Sequence, residues 1–128
     1  MDCSALIRLY IPDGPVPNNV EQAVEQAWQG DDVLLGPELL LAEAMQVLWR
    51  KQQRGLLSAT QVDDIAGAIL DLPLEIAGHR PLLPEARALA QQHRLTVYEA
   101  LYLALAQAHR ATLLTADAAL QKAANHTP

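Results

Sequence analysis

The sequence predicts an α/β domain in three layers, a short parallel sheet flanked by helices on both faces, and three observations carry that expectation. Short apolar runs at residues 33–35, 72–76 and 112–115 alternate with segments whose apolar residues recur every three and four positions. No hairpin signal joins any two runs, so they are expected to pair in parallel through helical crossovers. The 128 residues are 51% hydrophobic, enough for one buried core, and a single domain over residues 1–128 is expected.

Residues 4–11 read as a short helix with Leu6, Ile7 and Tyr10 on one side, ended by Pro12, Asp13 and Gly14. After a loop through Asn19, the residues Val20, Ala23, Val24, Ala27 and Trp28 take amphipathic spacing, and Gly30 stops that helix. The run 33–35 is read as a buried strand. Pro37 stands where a first helical residue belongs, and strong helix formers fill residues 38–54 until Gly55 ends them. Ser58, with Gln61 three places on, has capping-box spacing and opens a helix to about Asp71. A second strand follows at 72–76, where Pro73 suits only the first residues or an edge. Pro84 starts a helix to about His93, and Thr96 opens another to about Arg110, so apolar that it must be buried nearly all round. The third strand, 112–115, leads to Asp117 at the mouth of a last helix through Ala124.

Composition narrows the function classes. A net charge of −6 argues against a general nucleic-acid coat protein, which neutralises phosphates with broad basic surfaces. It does not argue against a metal-dependent nuclease, because a metal site needs uncompensated carboxylates. The one basic run, Arg50, Lys51 and Arg54, reads as the solvated last turn of a helix. A lone cysteine, Cys3, points to a reducing compartment. Met1 is followed at once by Asp2 and no apolar stretch approaches a membrane span, so a soluble, cytoplasmic protein is expected.

In open α/β sheets ligands gather beyond the carboxyl ends of strands, which directs attention to acids just after strands and at nearby helix starts. Asp117 follows its apolar run directly, and the same position suits an N-cap of the final helix. Glu43 is a charge amid Leu39, Leu40, Leu41, Ala42, Ala44 and Met45. At about 100° per residue it falls on the rim of an apolar arc, where it can point into a cleft or simply lie on the surface. Glu99 stands three residues after Thr96, itself a capping-box spacing, and a first-turn carboxylate is also a rigid mount for a metal ligand. Asp2 alone is uninformative, being equally suited to cap the first helix.

Taken together, these segments resemble the PIN-domain nucleases, above all the VapC-type toxins of bacterial and archaeal toxin–antitoxin pairs. Asp2, Cys3, Ser4, Ala5 and Leu6 are similar to the family's opening motif, an Asp followed two residues later by Ser or Thr. Residues 37–50, with Glu43, Leu48 and Trp49, are similar to the helix that carries the family's Glu. Thr96 through Ala104, then Leu114, Thr115, Ala116 and Asp117, resemble its two C-terminal motifs. The resemblance implies that Asp2, Glu43, Glu99 and Asp117 are the metal-binding acids, with Ser4 and Thr115 as polar supports behind them. Glu99 stands where the family usually has Asp, and its extra methylene moves the carboxylate outward. Only Met1 precedes the first Asp, where the family has a strand, and the usual last strand has no counterpart.

Four carboxylates drawn together repel one another, and a divalent cation resolves that cost. All-oxygen ligands favour Mg²⁺ or Mn²⁺, and nothing has zinc-ligand spacing: Cys3 stands alone and His79, His93, His109 and His126 are scattered, as surface or loop residues. The expected chemistry is in-line hydrolysis of RNA phosphodiesters, and the resemblance implies 3′-hydroxyl and 5′-phosphate ends, a cognate antitoxin and a homodimer. Trp28 and Trp49 are read as core residues first and interface anchors second. Two other classes share these features: a PIN-like module weakened by Glu99 that only binds an antitoxin, and a phospho-acceptor receiver domain, which needs a Lys at the end of an apolar strand, and no apolar strand here ends in one.

Overall fold

The computed structural model describes residues 1–12 and 14–126. Asp13, expected among the helix-ending residues, lies outside them. Strands β1 (Leu34–Pro37) and β2 (Leu74–Ala77) pair in parallel, Leu34 opposite Leu74 and Pro37 opposite Ala77. The long crossover between them holds helices α3 (Leu39–Gln53) and α4 (Ala59–Leu70), packed on each other. Helices α1 (Cys3–Arg8) and α2 (Val20–Trp28) precede β1, and α5 (Leu83–His93), α6 (Val97–Ala108) and α7 (Ala118–Asn125) follow β2, with a 3₁₀ turn over Arg80–Leu82.

Two capping boxes form as the sequence predicts: Ser58 and Gln61 exchange bonds at the start of α4, and Thr96 and Glu99 do so at the start of α6. Helix α6 is buried from Ala100 through Leu105, which makes it the centre of the core, and it packs against both α5 and β1. On α3, Leu40, Ala44 and Leu48 turn inward. Gly36 lets that helix approach, since a Cβ there would lie 2.6 Å from a Leu40 methyl.

Several expectations are corrected. Pro37 does not open α3; it closes β1, where its missing N–H costs no ladder bond, and α3 begins two residues later. Helix α1 stops at Arg8, short of Ile11. Residues 112–115 do not form a regular strand. Asp2 N–H donates to Leu114 O (2.9 Å) and the Met1 N–H donates to Leu35 O (3.1 Å), so Met1 and Asp2 lie between β1 and this segment. Among the described residues, the amides of Thr112 through Thr115 find no backbone acceptor, and a ladder cannot propagate from one bond.

Trp28 and Trp49 are 57% and 49% exposed, against the core reading. Each is one residue past an inward position, Ala27 and Leu48, and a 100° turn carries it outward. His93 also departs from a surface role, for its Nε2 is buried and has no hydrogen-bond partner among the described residues. Among the described residues no helix is long and apolar enough to cross a membrane.

Candidate metal centre

The extended backbone at Asp2 ends in α1, and the Asp2 carboxylate caps that helix by accepting from Ala5 N–H (3.0 Å) through Oδ1. Ser4 Oγ donates to the same oxygen at 2.7 Å, and Thr115 Oγ1 donates to Oδ2 at 2.6 Å. Asp2 is only 6% exposed, so a buried carboxylate is held by three donors from two distant parts of the chain. Both hydroxyls also accept: Ser4 Oγ from Ala116 N–H (2.9 Å), Thr115 Oγ1 from Asp117 N–H (3.0 Å). These bonds fix the 115–117 turn against α1.

Asp117 then caps α7, its Oδ1 accepting from Leu120 N–H at 2.9 Å. Thr115 thus stands between Asp2 and Asp117, bonded to both. On the other side, Glu43 projects from α3 and is half-buried. Burial pushes its carboxyl above the ordinary range; the Tyr102 hydroxyl, which donates to Oε1, pulls it back; Asp2 and Glu99 push it up again. Three acids from α1, α3 and α6 therefore share one electrostatic field. Glu99 Oε1 meanwhile accepts from Thr96 N–H at 3.0 Å, within its capping box.

Among the described residues, no three His, Cys, Asp or Glu side chains stand close enough to ligate one ion together. The repulsion of Glu43 by Asp2 and Glu99 is what a divalent cation would relieve. The donor set is all oxygen. Cys3, beside Glu43 and Asp2, has its thiol pushed up to about 12, first by burial and then by those two charges, which favours the neutral thiol.

Sequence reasoning missed Tyr102. Its signal was a lone phenol in the aliphatic centre of α6, three residues past Glu99 and so on the same side of the helix. A groove of about 630 Å³ between α1 and α3 was also missed; it is lined by Ser4, Ile7, Arg8, Glu43, Val47 and Arg50, among others. Glu43, Val47 and Arg50 recur at helical spacing, which places Arg50 on the carboxylate side of α3 as well as in the basic run.

The PIN-domain family model matches residues 1–126, and the chain belongs to the PIN-domain family. A curated relative, Ribonuclease VapC3 of Pyrobaculum aerophilum, is 33% identical over 119 residues, which are 91% of this chain and 87% of the relative. Among solved structures, the crystal structure of PAE2754 from Pyrobaculum aerophilum superposes with a TM-score of 0.73 at 21% identity, over 95% of this chain and 76% of that one. At that identity the superposition speaks for the fold.

Proposed function

We propose that the chain is a metal-dependent endoribonuclease, the toxin of a type II toxin–antitoxin pair, acting in the cytoplasm with Mg²⁺ or Mn²⁺ at Asp2, Glu43, Glu99 and Asp117. What supports the reading is the pairing of groups far apart in sequence around Asp2 and Glu43. Thr115 Oγ1 bonds both the Asp2 carboxylate and the backbone N–H of Asp117, while Asp2 and Glu99 both raise the carboxyl of Glu43. The name of the VapC3 relative supports RNA as substrate and an antitoxin as partner. A homodimer is part of the same proposal, and Trp28 and Trp49 are exposed enough to serve in either interface.

When bound, the divalent cation supplies an activated water at neutral pH and offsets charge on the leaving oxygen. The chain's own part is positioning. Ser4 and Thr115 hold both oxygens of Asp2, so its carboxylate has little freedom to rotate. Asp117 and Glu99 are fixed as first-turn caps, and Tyr102 fixes Glu43. Arg8 and Arg50 line the adjoining groove, where cationic side chains suit flanking phosphates.

The experiment is cleavage of RNA by purified protein with Mn²⁺ or with EDTA, alongside Asp117→Asn. Cleavage leaving 5′-phosphates is expected with Mn²⁺ only, reduced at least about a hundredfold in the variant; equal cleavage in all three samples contradicts the proposal. One observation favours a rival: Glu99 Oε1 turns back onto Thr96 N–H, as a weakened module that only binds an antitoxin would allow. Folded protein that fails to bind Mn²⁺ would favour that module.

A further inference from the structure

Arg8 ends α1 between two cavities. On one side is the groove of about 630 Å³ that contains Ser4, Glu43 and Arg50; on the other is a cavity of about 400 Å³ lined by Pro15, Thr115, Asp117 and Gln121, among others. Arg8 lines both, and no other described residue does. Its guanidinium is also held in place. Nη1 donates to Pro15 O at 3.2 Å, and the group lies so close over Gly14 that a Cβ there would stand 3.0 Å from Cζ. Among the described residues this carbonyl is its one acceptor and no carboxylate pairs with it, so the rest of the donor fork is open.

We propose that Arg8 is a substrate-binding residue: it grips a phosphate of single-stranded RNA where the strand crosses the end of α1, from the cavity beside Asp117 into the groove beside Glu43. The inference rests on the reading above that RNA is the substrate. Its physical basis is charge and shape. The chain carries a net charge of −6, so a polyanion gains most where a cation stands unpaired, and a guanidinium presents a planar fork that matches two phosphate oxygens. Both cavities have the size of small-molecule sites, with room for a nucleotide or so and none for a duplex. A strand laid through both must pass Arg8. Arg50, on the α3 wall of the groove, lies further along the same path. An arginine in a last helical turn has a simpler use as well, offsetting the negative end of the helix. Salt separates the two roles, since only a phosphate contact displaces counterions from the RNA.

The test is the affinity of a short, fluorescently labelled single-stranded RNA, read by anisotropy over a series of KCl concentrations for the wild type, Arg8→Gln, Arg8→Lys and Arg87→Gln. EDTA keeps divalent ions out of the measurement, so the result does not depend on the metal. Gln keeps a donor for Pro15 O and removes the charge. In Arg8→Gln the slope of log affinity against log salt is expected to be shallower by about 0.7, an affinity loss of about eightfold at about 50 mM salt. Arg8→Lys is expected to restore the wild-type slope. Arg87→Gln, which removes an exposed cation on α5 outside both cavities, is expected to leave it unchanged. Arg8→Met, which keeps the apolar stem, serves if Arg8→Gln does not fold. A wild-type slope in Arg8→Gln, or an equal change in Arg87→Gln, overturns the phosphate contact and leaves Arg8 its helix-end role, while the RNA reading stands. RNA that fails to bind the folded wild type overturns this inference together with the RNA reading beneath it.

Discussion

Glu43 shows how one side chain's surroundings translate into behaviour. Burial raises its carboxyl above the ordinary value of 4.5, and the charges of Asp2 and Glu99 add to that while Tyr102 opposes it. As pH rises past 4.5 the unfolded chain gives up this proton while the folded chain keeps it, so the folded state binds more protons across that window. The stability contributed by Glu43 is accordingly present at low pH and lost as pH climbs through its raised value. Thermal melts in EDTA should show the wild type losing stability relative to Glu43→Gln, whose amide does not titrate, between about pH 4.5 and neutrality. A difference independent of pH would contradict the assigned burial. The rim position of Glu43 was legible from the helical pattern, since a charge within an apolar arc stands out at 100° per residue. Tyr102 was not, because a phenol among leucines reads as core until its hydroxyl is seen to have an acceptor on another helix.

At the scale of elements, three of the four acids sit at helix starts. Asp2 caps α1, Glu99 completes the box of α6, and Asp117 caps α7. A cap and a cation site both call for a carboxylate held rigidly, which the backbone N–H groups of a first helical turn provide. The two readings that spacing left open at Asp117 and Glu99 are therefore compatible. Substitutions can separate them. Asn caps as well as Asp, so Asp117→Asn should melt within a degree or so of the wild type while losing cleavage. Asp117→Ala should lose cleavage and also about 1 kcal/mol of stability, or roughly 3–5 °C in Tm. If Asp117→Asn melted as low as the Ala variant, the capping geometry would be wrong. Helices were readable because caps and periodicity are local. The strand at 112–115 was misread because a ladder depends on backbone partners elsewhere in the chain, and among the described residues its amides find none.

Across the whole molecule, the fold brings one end of the chain to the other: Asp2 and Thr115 are 113 residues apart in sequence and 2.6 Å apart at their oxygens. The parallel crossover and the buried helix α6 make that closure possible, and both were visible in the sequence as alternating runs and an all-round apolar segment. What composition could not supply was the fine spacing, including the close approach of α3 to β1 over Gly36. Gly36→Ala should push the fully buried Leu40 out of place and cost about 1–3 kcal/mol, read as a lower urea midpoint; an unchanged midpoint would mean that the contact is looser than 2.6 Å implies. The most direct measurement is a Mn²⁺ titration of the folded protein beside Glu43→Gln, Glu99→Gln and Asp117→Asn. Binding by the wild type, weakened about tenfold or more by each substitution, is the predicted result; a folded wild type that takes up no Mn²⁺, or three variants that bind it equally well, would contradict a shared cation.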